Sequence, residues 1–457
     1  MSNSLAKKLL TDETEEISPL LLKLFHHPCA PKWNHVAKDR LSTFEYQKLQ
    51  SFESQLASYL AQGSDFRTIV RWLSSRWQLS PFLFKQLSNS GFNGRNWAAI
   101  PTMSRSDVVR SLIDIIPNDA PLELLRSYRT AGTTGHPVIV PHCPYSIATY
   151  QAFLKQALIA CGIQVQYSPE KVACFLIGSQ RRTVTYATSL SYLNQSGFAK
   201  INLDPSQWSR DFDCEMYLSE FNPSFLTGDP LSFAKLLELD VNIAPQALIT
   251  TAVALSQGLR EALESRFKCP VIDWYSLTET GPIACKFPGD TAYTVIAPDI
   301  YLECLDQNNQ QVAEGEIGEI VITGGRNPFL PLLRYRTGDF GRLVYSADGR
   351  LQIADLEGRQ PVTFFDRQRR PINSVDIAGC LRPFPILQYE VVQHKDFTID
   401  VVLRTTKSPE SWLERLQQRL ASLFDCQDLI TIKIDQALGD RGSGQKVVPY
   451  KSELFAE

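Results

Sequence analysis

Apolar and polar positions follow one rhythm in the first hundred residues and another beyond. Phe44, Leu49, Phe52, Leu56 and Leu60 recur at roughly the spacing of one helix face, and Leu83 to Phe92 repeats this more weakly. The N-terminal part, residues 1–99, therefore reads as helical. Further on, the pattern becomes short apolar runs between turn residues. Val172 to Ile177, ending in Gly178-Ser179, reads as a buried strand, and so do Ala247 to Thr250 and Pro270 to Tyr275. The helix-like stretch Ser256 to Phe267 lies between the last two. Strand, helix, strand is the mark of a parallel sheet.

A third texture follows. Ile300 to Leu305, Glu319 to Thr323 and Gly341 to Tyr345 are short strands joined by Asn, Gly and Asp turns, as in a meander or small barrel. Past Glu357-Gly358-Arg359-Gln360-Pro361, the strand-like runs Tyr389 to Val392, Thr398 to Leu403 and Leu429 to Ile434 surround one helix, Pro409 to Phe424. About a hundred residues of this kind suffice for a small second domain. The expected fold is α/β: a large domain (1–357) of parallel-type sheets with helices plus a small β-meander or barrel, then a small mobile α+β domain (358–457).

Composition narrows the function classes. The 457 residues carry 46 basic and 49 acidic side chains, a net charge of −3, so the basic excess a nucleic-acid binder needs is missing. Ten cysteines are scattered without a C-x-x-C pair among only six histidines, which gives a zinc framework no support. Cys174, Cys304 and Cys380 sit among apolar residues and read as buried thiols. No stretch reaches the ~18 apolar residues of a membrane span, and Met1 to Glu16 lacks the apolar core of a secretory signal. The chain reads as soluble and cytoplasmic, without a nucleic-acid or membrane partner.

The candidate chemistry begins at Thr130-Ala131-Gly132-Thr133-Thr134-Gly135-His136-Pro137. Two glycines three apart permit close backbone approach, and threonine hydroxyls beside backbone N–H groups make an anion nest suited to a polyphosphate. A flexible surface loop accounts for this segment equally well taken alone, and no G-K-[ST] follows to make it a Walker loop. Asp273-Trp274-Tyr275-Ser276-Leu277-Thr278-Glu279 adds an aromatic, a hydroxyl and a carboxylate at the end of an expected strand, where open parallel sheets bind ligands. Arg334-Tyr335-Arg336-Thr337-Gly338-Asp339 sets a carboxylate behind a glycine turn, a suitable acceptor for two sugar hydroxyls.

Together these segments resemble the adenylate-forming superfamily of acyl-CoA synthetases, adenylation domains and luciferases, in particular its phenylacetate–CoA ligase-like branch. Ile100 to Asp107 is similar to that branch's Ile-Pro segment, and Thr130 to Pro137 to its Ser-Gly-Thr-Thr-Gly-Lys-Pro loop. Tyr275 to Glu279 is similar to Tyr-Gly-x-(Thr/Ser)-Glu, Gly315 to Glu319 to Gly-Glu-x-Gly-Glu, and Tyr335 to Asp339 reproduces Tyr-Arg-Thr-Gly-Asp. The resemblance implies a two-step ligase using ATP and Mg²⁺: a carboxylate attacks the α-phosphate, then a thiol of CoA or carrier-protein phosphopantetheine displaces AMP. It implies that Thr130, Thr133 and Thr134 hold the β- and γ-phosphates, with Gly132 and Gly135 permitting the approach. Tyr275 would stack on adenine beside Ala252, and Thr278 would touch the α-phosphate. Glu279 would ligate Mg²⁺, and Asp339 would accept the ribose hydroxyls, helped by Arg359. Lys446, after a Gly-rich loop, would bridge the carboxylate and α-phosphate once the small domain closes; Lys451 is its competitor, and a solvated surface lysine is the ordinary alternative.

The sequence also departs from the family. His136 replaces the loop lysine, Ser276 the motif glycine, and Val253 a frequent glutamate. At the hinge, where the family reads Gly-Arg-x-Asp-Asp, the chain has Gly358-Arg359-Gln360-Pro361-Val362. Pro361 fixes its own φ and biases Gln360 toward extended backbone, so domain rotation is expected to be restricted or displaced, or the hinge has moved by a residue or two. Transfer to an amine and a degenerate nucleotide-binding scaffold are the alternatives to a thiol ligase. The acid pocket is expected near Tyr186, Thr251 and Ser276, rich in hydroxyls and aromatics. That suits a small or aromatic acid better than a long fatty acid. An acyl carrier protein is a conceivable partner for a monomer or homodimer.

Overall fold

The computed structural model describes residues 18–35, 41–62, 66–93, 96–129, 138–180, 183–358, 362–426, 428–439, 447 and 449–454. In chain order the strands are β1 (Arg126–Arg129), β2 (Ile139–His142), β3 (Val172–Gly178), β4 (Tyr186–Leu190), β5 (Ser196–Asn202), β6 (Phe225–Gly228) and β7 (Ala247–Thr251). They continue as β8 (Val271–Leu277), β9 (Gly281–Lys286), β10 (Tyr293–Val295), β11 (Ile300–Leu305), β12 (Ile317–Gly324), β13 (Leu332–Tyr345) and β14 (Leu351–Glu357). Beyond residue 361 come β15 (Thr363–Phe365), β16 (Pro371–Asn373), β17 (Ile386–Gln393), β18 (Ile399–Thr405), β19 (Ile430–Ile434) and β20 (Tyr450–Ser452).

Twelve of these strands form one sheet in the order β11-β12-β13-β14-β10-β9-β8-β7-β6-β3-β5-β4. The block β5-β3-β6-β7-β8 is parallel, and every pair outside it is antiparallel. The expected strand–helix–strand unit is there: β7 and β8 are parallel neighbours joined through the helix Gln257–Phe267. The expected small barrel is not. Among the described residues the meander stays open and extends the main sheet, because β10 pairs with β9 on one side and β14 on the other. Hairpin periodicity cannot reveal that junction, since Tyr293 pairs with Ile353 across sixty residues of sequence.

Helices cover both faces of the parallel block. On one face Thr43–Gln62 and Pro144–Ala160 pack over Cys174, Ile249, Ile272 and Trp274; Leu49, Phe52 and Leu56 are buried there, each worth about 1.5–3 kcal/mol. Phe44 departs from the expected stripe. It lies in the first turn of its helix and is exposed. On the other face Pro19–His26, Asp213–Phe221, Pro230–Leu237 and Gln257–Phe267 pack over Val172, Phe175, Ala199, Ile201 and Leu248. Cys174 and Cys304 are buried and Cys380 half-buried, and all ten thiols are free. No helix among the described residues is long and apolar enough to cross a membrane.

The segment after residue 361 has its own core, in which Ile377, Leu403, Leu416, Leu420 and Phe424 are buried under a four-stranded sheet, β19-β18-β17-β20. It rests on the main sheet through Arg382. That guanidinium donates to Asp355 at 3.1 Å and Glu357 at 2.7 Å, at the end of β14. Close by, a Cβ at Gly258 would sit 2.5 Å from Pro385 Cα, so glycine permits the contact.

Candidate active site

The site gathers at the hairpin where β8 turns into β9. The turn is three residues long, Thr278-Glu279-Thr280, closed by Leu277 opposite Gly281, whose φ of +76° suits only glycine at low strain. Its carbonyls are gripped by two buried cationic or aromatic side chains. Arg326 donates to Thr280 O at 2.6 Å and Pro282 O at 3.0 Å, while its other nitrogens pair with Asp299 at 2.7 and 3.0 Å. His142 Nε2 lies 2.7 Å from Thr278 O, so it must carry the proton and donate. Burial holds the His142 pKa below the usual histidine range, only partly opposed by the bond to Thr278.

Two carboxylates converge on this turn. Glu279 is buried and accepts a hydrogen bond from Tyr335 Oη at 3.1 Å. Asp339 stands on the bulged strand β13, where Gly338 has φ +77° and its N–H donates to Glu319 at 2.9 Å. Thr337 Oγ1 donates to Ile320 O at 2.7 Å and receives the Asp339 N–H at 3.0 Å. The turn therefore aims Asp339 back at β8, where Tyr275 Oη donates to it at 2.8 Å. Burial first, and the Asp339 charge second, push the Tyr275 phenol well above its ordinary range. The phenol stays a donor at any physiological pH.

The hydroxyl side lies one strand over. Thr251 and Ser276 hydroxyls are 3.1 Å apart on neighbouring strands. Tyr150, from the overlying helix, hydrogen-bonds Ser276, and its ring lies 6.4 Å from Trp274; burial moves its phenol up to about 12. Ala252, just past β7, is exposed with φ +73°, a left-handed conformation uncommon for a side chain of this kind. Such outliers collect at functional turns. Tyr186 is half-buried beside Phe198 at 5.9 Å, and Tyr128 and Cys174 are among the groups that raise its phenol to about 12 after burial itself.

The structure thus brings Tyr275, Thr278, Glu279 and Asp339 to one hairpin region, with Thr251, Ser276 and Ala252 adjoining. Tyr186 stands at the start of β4, five strands from β8. Thr130, Gly132, Thr133, Thr134 and Gly135 lie outside the described residues, between β1 and β2, and so do Arg359, Pro361 and Lys446. Sequence reasoning missed His142, Arg326 and Tyr150. None sits in a recognisable motif, although Arg326 inside Gly-Gly-Arg-Asn carries a charge between apolar strands. Among the described residues no group of three His, Cys, Asp or Glu side chains is placed to hold a metal.

A sequence profile described as AMP-binding enzyme matches residues 130–327. Protein CapK of Staphylococcus aureus is 26% identical over 176 residues, covering 36% of this chain and 38% of that protein. Phenylacetate-coenzyme A ligase of Pseudomonas putida is 26% identical over 238 residues, covering 49% of this chain and 51% of that one. The matches thus span about half, or less, of the length of these relatives. A 2-hydroxyisobutyryl-CoA ligase solved in the postadenylation state with R3-HIB-AMP superposes at a TM-score of 0.60 and 13% identity, over 89% of this chain and 90% of that one; at such identity the fold alone is shared. Residues 130–327 match the AMP-binding enzyme profile, and the chain resembles the phenylacetate–CoA ligase-like branch of adenylate-forming enzymes.

Proposed function

We propose that the protein is an ATP-dependent carboxylic acid ligase that forms an acyl- or aryl-adenylate and passes the acyl group to a thiol, that of CoA or a carrier-protein phosphopantetheine. One observation supports it above the others: Glu279 and Asp339 converge, each tied to a tyrosine, on a hairpin at the C-terminal ends of parallel strands. A ligand lying there meets two carboxylates of different duty. Asp339, a half-exposed acceptor, suits the paired hydroxyls of a ribose. Tyr275 fixes the Asp339 carboxylate and offers its ring to a flat base. Glu279 supplies a hard oxygen donor of the kind Mg²⁺ takes, and Mg²⁺ there would offset phosphate charge.

In the first step the substrate carboxylate oxygen bonds to the α-phosphorus, and the bond from that phosphorus to the β-phosphate bridge breaks, releasing pyrophosphate. Thr278 stands at the turn to donate to the α-phosphate, and Lys446 would balance the charge between carboxylate and phosphate when the small domain closes. Thr130, Gly132, Thr133, Thr134 and Gly135 would cradle the departing phosphates, and Arg359 would support the ribose contact. In the second step the thiolate attacks the acyl carbon and AMP leaves with the bonding electrons. We assign 1–357 as the body and 358–457 as the lid.

Acid-dependent exchange of labelled pyrophosphate into ATP, run with Mg²⁺ over aryl, short-chain, fatty and amino acids, tests the reading. Exchange with one class is expected. ATP binding without exchange for any acid would replace the ligase with a nucleotide-binding scaffold. Capture of the adenylate by an amine but not by thiols would turn the second step into amide formation.

A further inference from the structure

The chain leaves the twelve-stranded sheet at the end of β14, beside Asp339. Phe340 pairs there with Glu357, and a Cβ on Gly358 would lie 3.6 Å from Asp339 Oδ1. The ladder is irregular at this point. Arg342 pairs with Ala354 and Phe340 with Glu357, so Asp355 and Leu356 share the single position opposite Gly341. That is a bulge, and Asp355 holds φ +50°, a left-handed backbone that costs free energy in any residue with a Cβ. Bulges re-aim side chains, and this one delivers Asp355 and Glu357 to the same guanidinium.

That guanidinium is Arg382, in the turn that follows the helix Ser374–Leu381. Its Nη1 donates to Asp355 at 3.1 Å and its Nη2 to Glu357 at 2.7 Å, while Arg342 holds Asp355 from the sheet side at 3.0 Å. One planar fork thus joins two carboxylates. Only 13% of the Glu357 side chain is exposed; burial pushes its carboxyl up, and the Arg382 charge opposes that. The contact is fixed at its back as well, where Gln257 N–H donates to Arg382 O at 3.2 Å and Leu387 packs beside Leu255. On the small sheet Tyr389 Oη lies 2.7 Å from Tyr450 Oη, and after burial the Glu357 charge is among the groups that push both phenols up. The carboxylate that meets Arg382 therefore also faces β20.

We propose that Arg382 is a positioning residue for adenylate formation: by clasping Asp355 and Glu357 it sets β17 and β20 against the Asp339 side of the hairpin site. This deepens the adenylation reading and rests on it. Arg382 touches no reacting atom in this role. It acts through the carboxylates of β14, one of which stands across from the neighbour of Asp339. The clasp fixes where β20 lies, and β20 begins shortly after Lys446 in the sequence. Charge balance between an attacking carboxylate and a phosphate is steeply sensitive to such placement, whereas ATP contacts made by the large sheet are not. An ion pair that merely fastened two packed surfaces would need neither the bulge nor the left-handed Asp355.

The test is acid-dependent pyrophosphate exchange, with the acid that gives exchange in the wild type, read beside MgATP affinity from calorimetry. Arg382→Met is expected to lower kcat for exchange about 10- to 100-fold, while the ATP dissociation constant stays within about twofold. Arg382→Lys keeps the charge but not the planar fork, so it should recover part of the rate and lose only about three- to tenfold. Adding Glu357→Gln to Arg382→Met should cost little more, because the two side chains act as one unit. A kcat near that of the wild type, or one that falls no further than ATP affinity does, would overturn the proposal and leave Arg382 a plain fastening. Fully multiplicative losses in the double variant would overturn it too. Arg382→Lys carries the same comparison of kcat with ATP affinity if Arg382→Met does not fold. No exchange by the wild type with any acid would instead overturn adenylation, and this inference with it.

Discussion

Strands β11 to β13 and strand β5, from the two halves of the twelve-stranded sheet, treat charge in opposite ways. In the antiparallel half, β11 to β13 hold buried arginines in closed pairs. Arg334 is almost wholly buried, bonds Glu303 at 3.0 and 3.1 Å, and donates to the carbonyls of Ala98 and Ile100. Those contacts pin the Ile100 to Asp107 segment against Tyr335, where Met103 N and O exchange hydrogen bonds with Arg334 and Arg336. On β5 Lys200 is half-buried and has no carboxylate partner among the described residues. The first strands satisfy their charges internally, and the second leaves one to solvent.

The sharpest way to break this contrast is Arg334→Met. It leaves Glu303 buried without its partner and two carbonyls without donors, so a loss of about 3–5 kcal/mol is expected in urea unfolding. A loss under 1 kcal/mol would mean the antiparallel half is no more rigidly satisfied than the other. Next in size, Glu279→Gln keeps an acceptor for Tyr335 but removes the charge. Exchange should fall roughly 100-fold and need more Mg²⁺, with the melting temperature little changed. Activity near wild type would take Glu279 out of the metal's coordination.

Tyr275→Phe should be milder. Asp339 loses one neutral donor, worth about 0.5–1.5 kcal/mol, and ATP affinity measured by calorimetry is expected to drop up to about tenfold. The smallest effect is a pH dependence at His142. Its folded pKa lies below the unfolded value because burial disfavours the charged ring. The stability it contributes is therefore complete above the unfolded pKa, near 6.5, and is lost as pH falls toward the folded one. Melting temperature should decline more steeply on acidification in the wild type than in His142→Asn. Equal slopes would show that His142 contributes nothing to the acid response.

The sequence carried more of the architecture than of the chemistry. Val172 to Ile177, Ala247 to Thr250 and Pro270 to Tyr275 were legible because a strand buried on both faces is a continuous apolar run, and β3, β7 and β8 lie where those runs fall. The motif order from Ile100 to Asp339 pointed to the fold before any pairing was known. What it could not give is contact between distant segments. The junction of meander and parallel block depends on β10 meeting β14. The grip of His142 on Thr278 joins residues 136 positions apart, and that of Arg326 on Thr280 spans 46. Phe44 shows the same limit on a smaller scale: periodicity counts it into a stripe, and the helix's first turn leaves it in water.

Strand β8 ends as a partition. Tyr275 turns to Asp339 on β13, and the next residue, Ser276, turns to Thr251 on β7 and to Tyr150 above it. Adjacent positions in one strand thus serve two compartments that share no side chain. On the proposed reading, variation at Ser276 would alter the acid side while the Tyr275–Asp339 pair stays as it is. The same backbone becomes a platform on which substrate choice evolves, or is engineered, one compartment at a time.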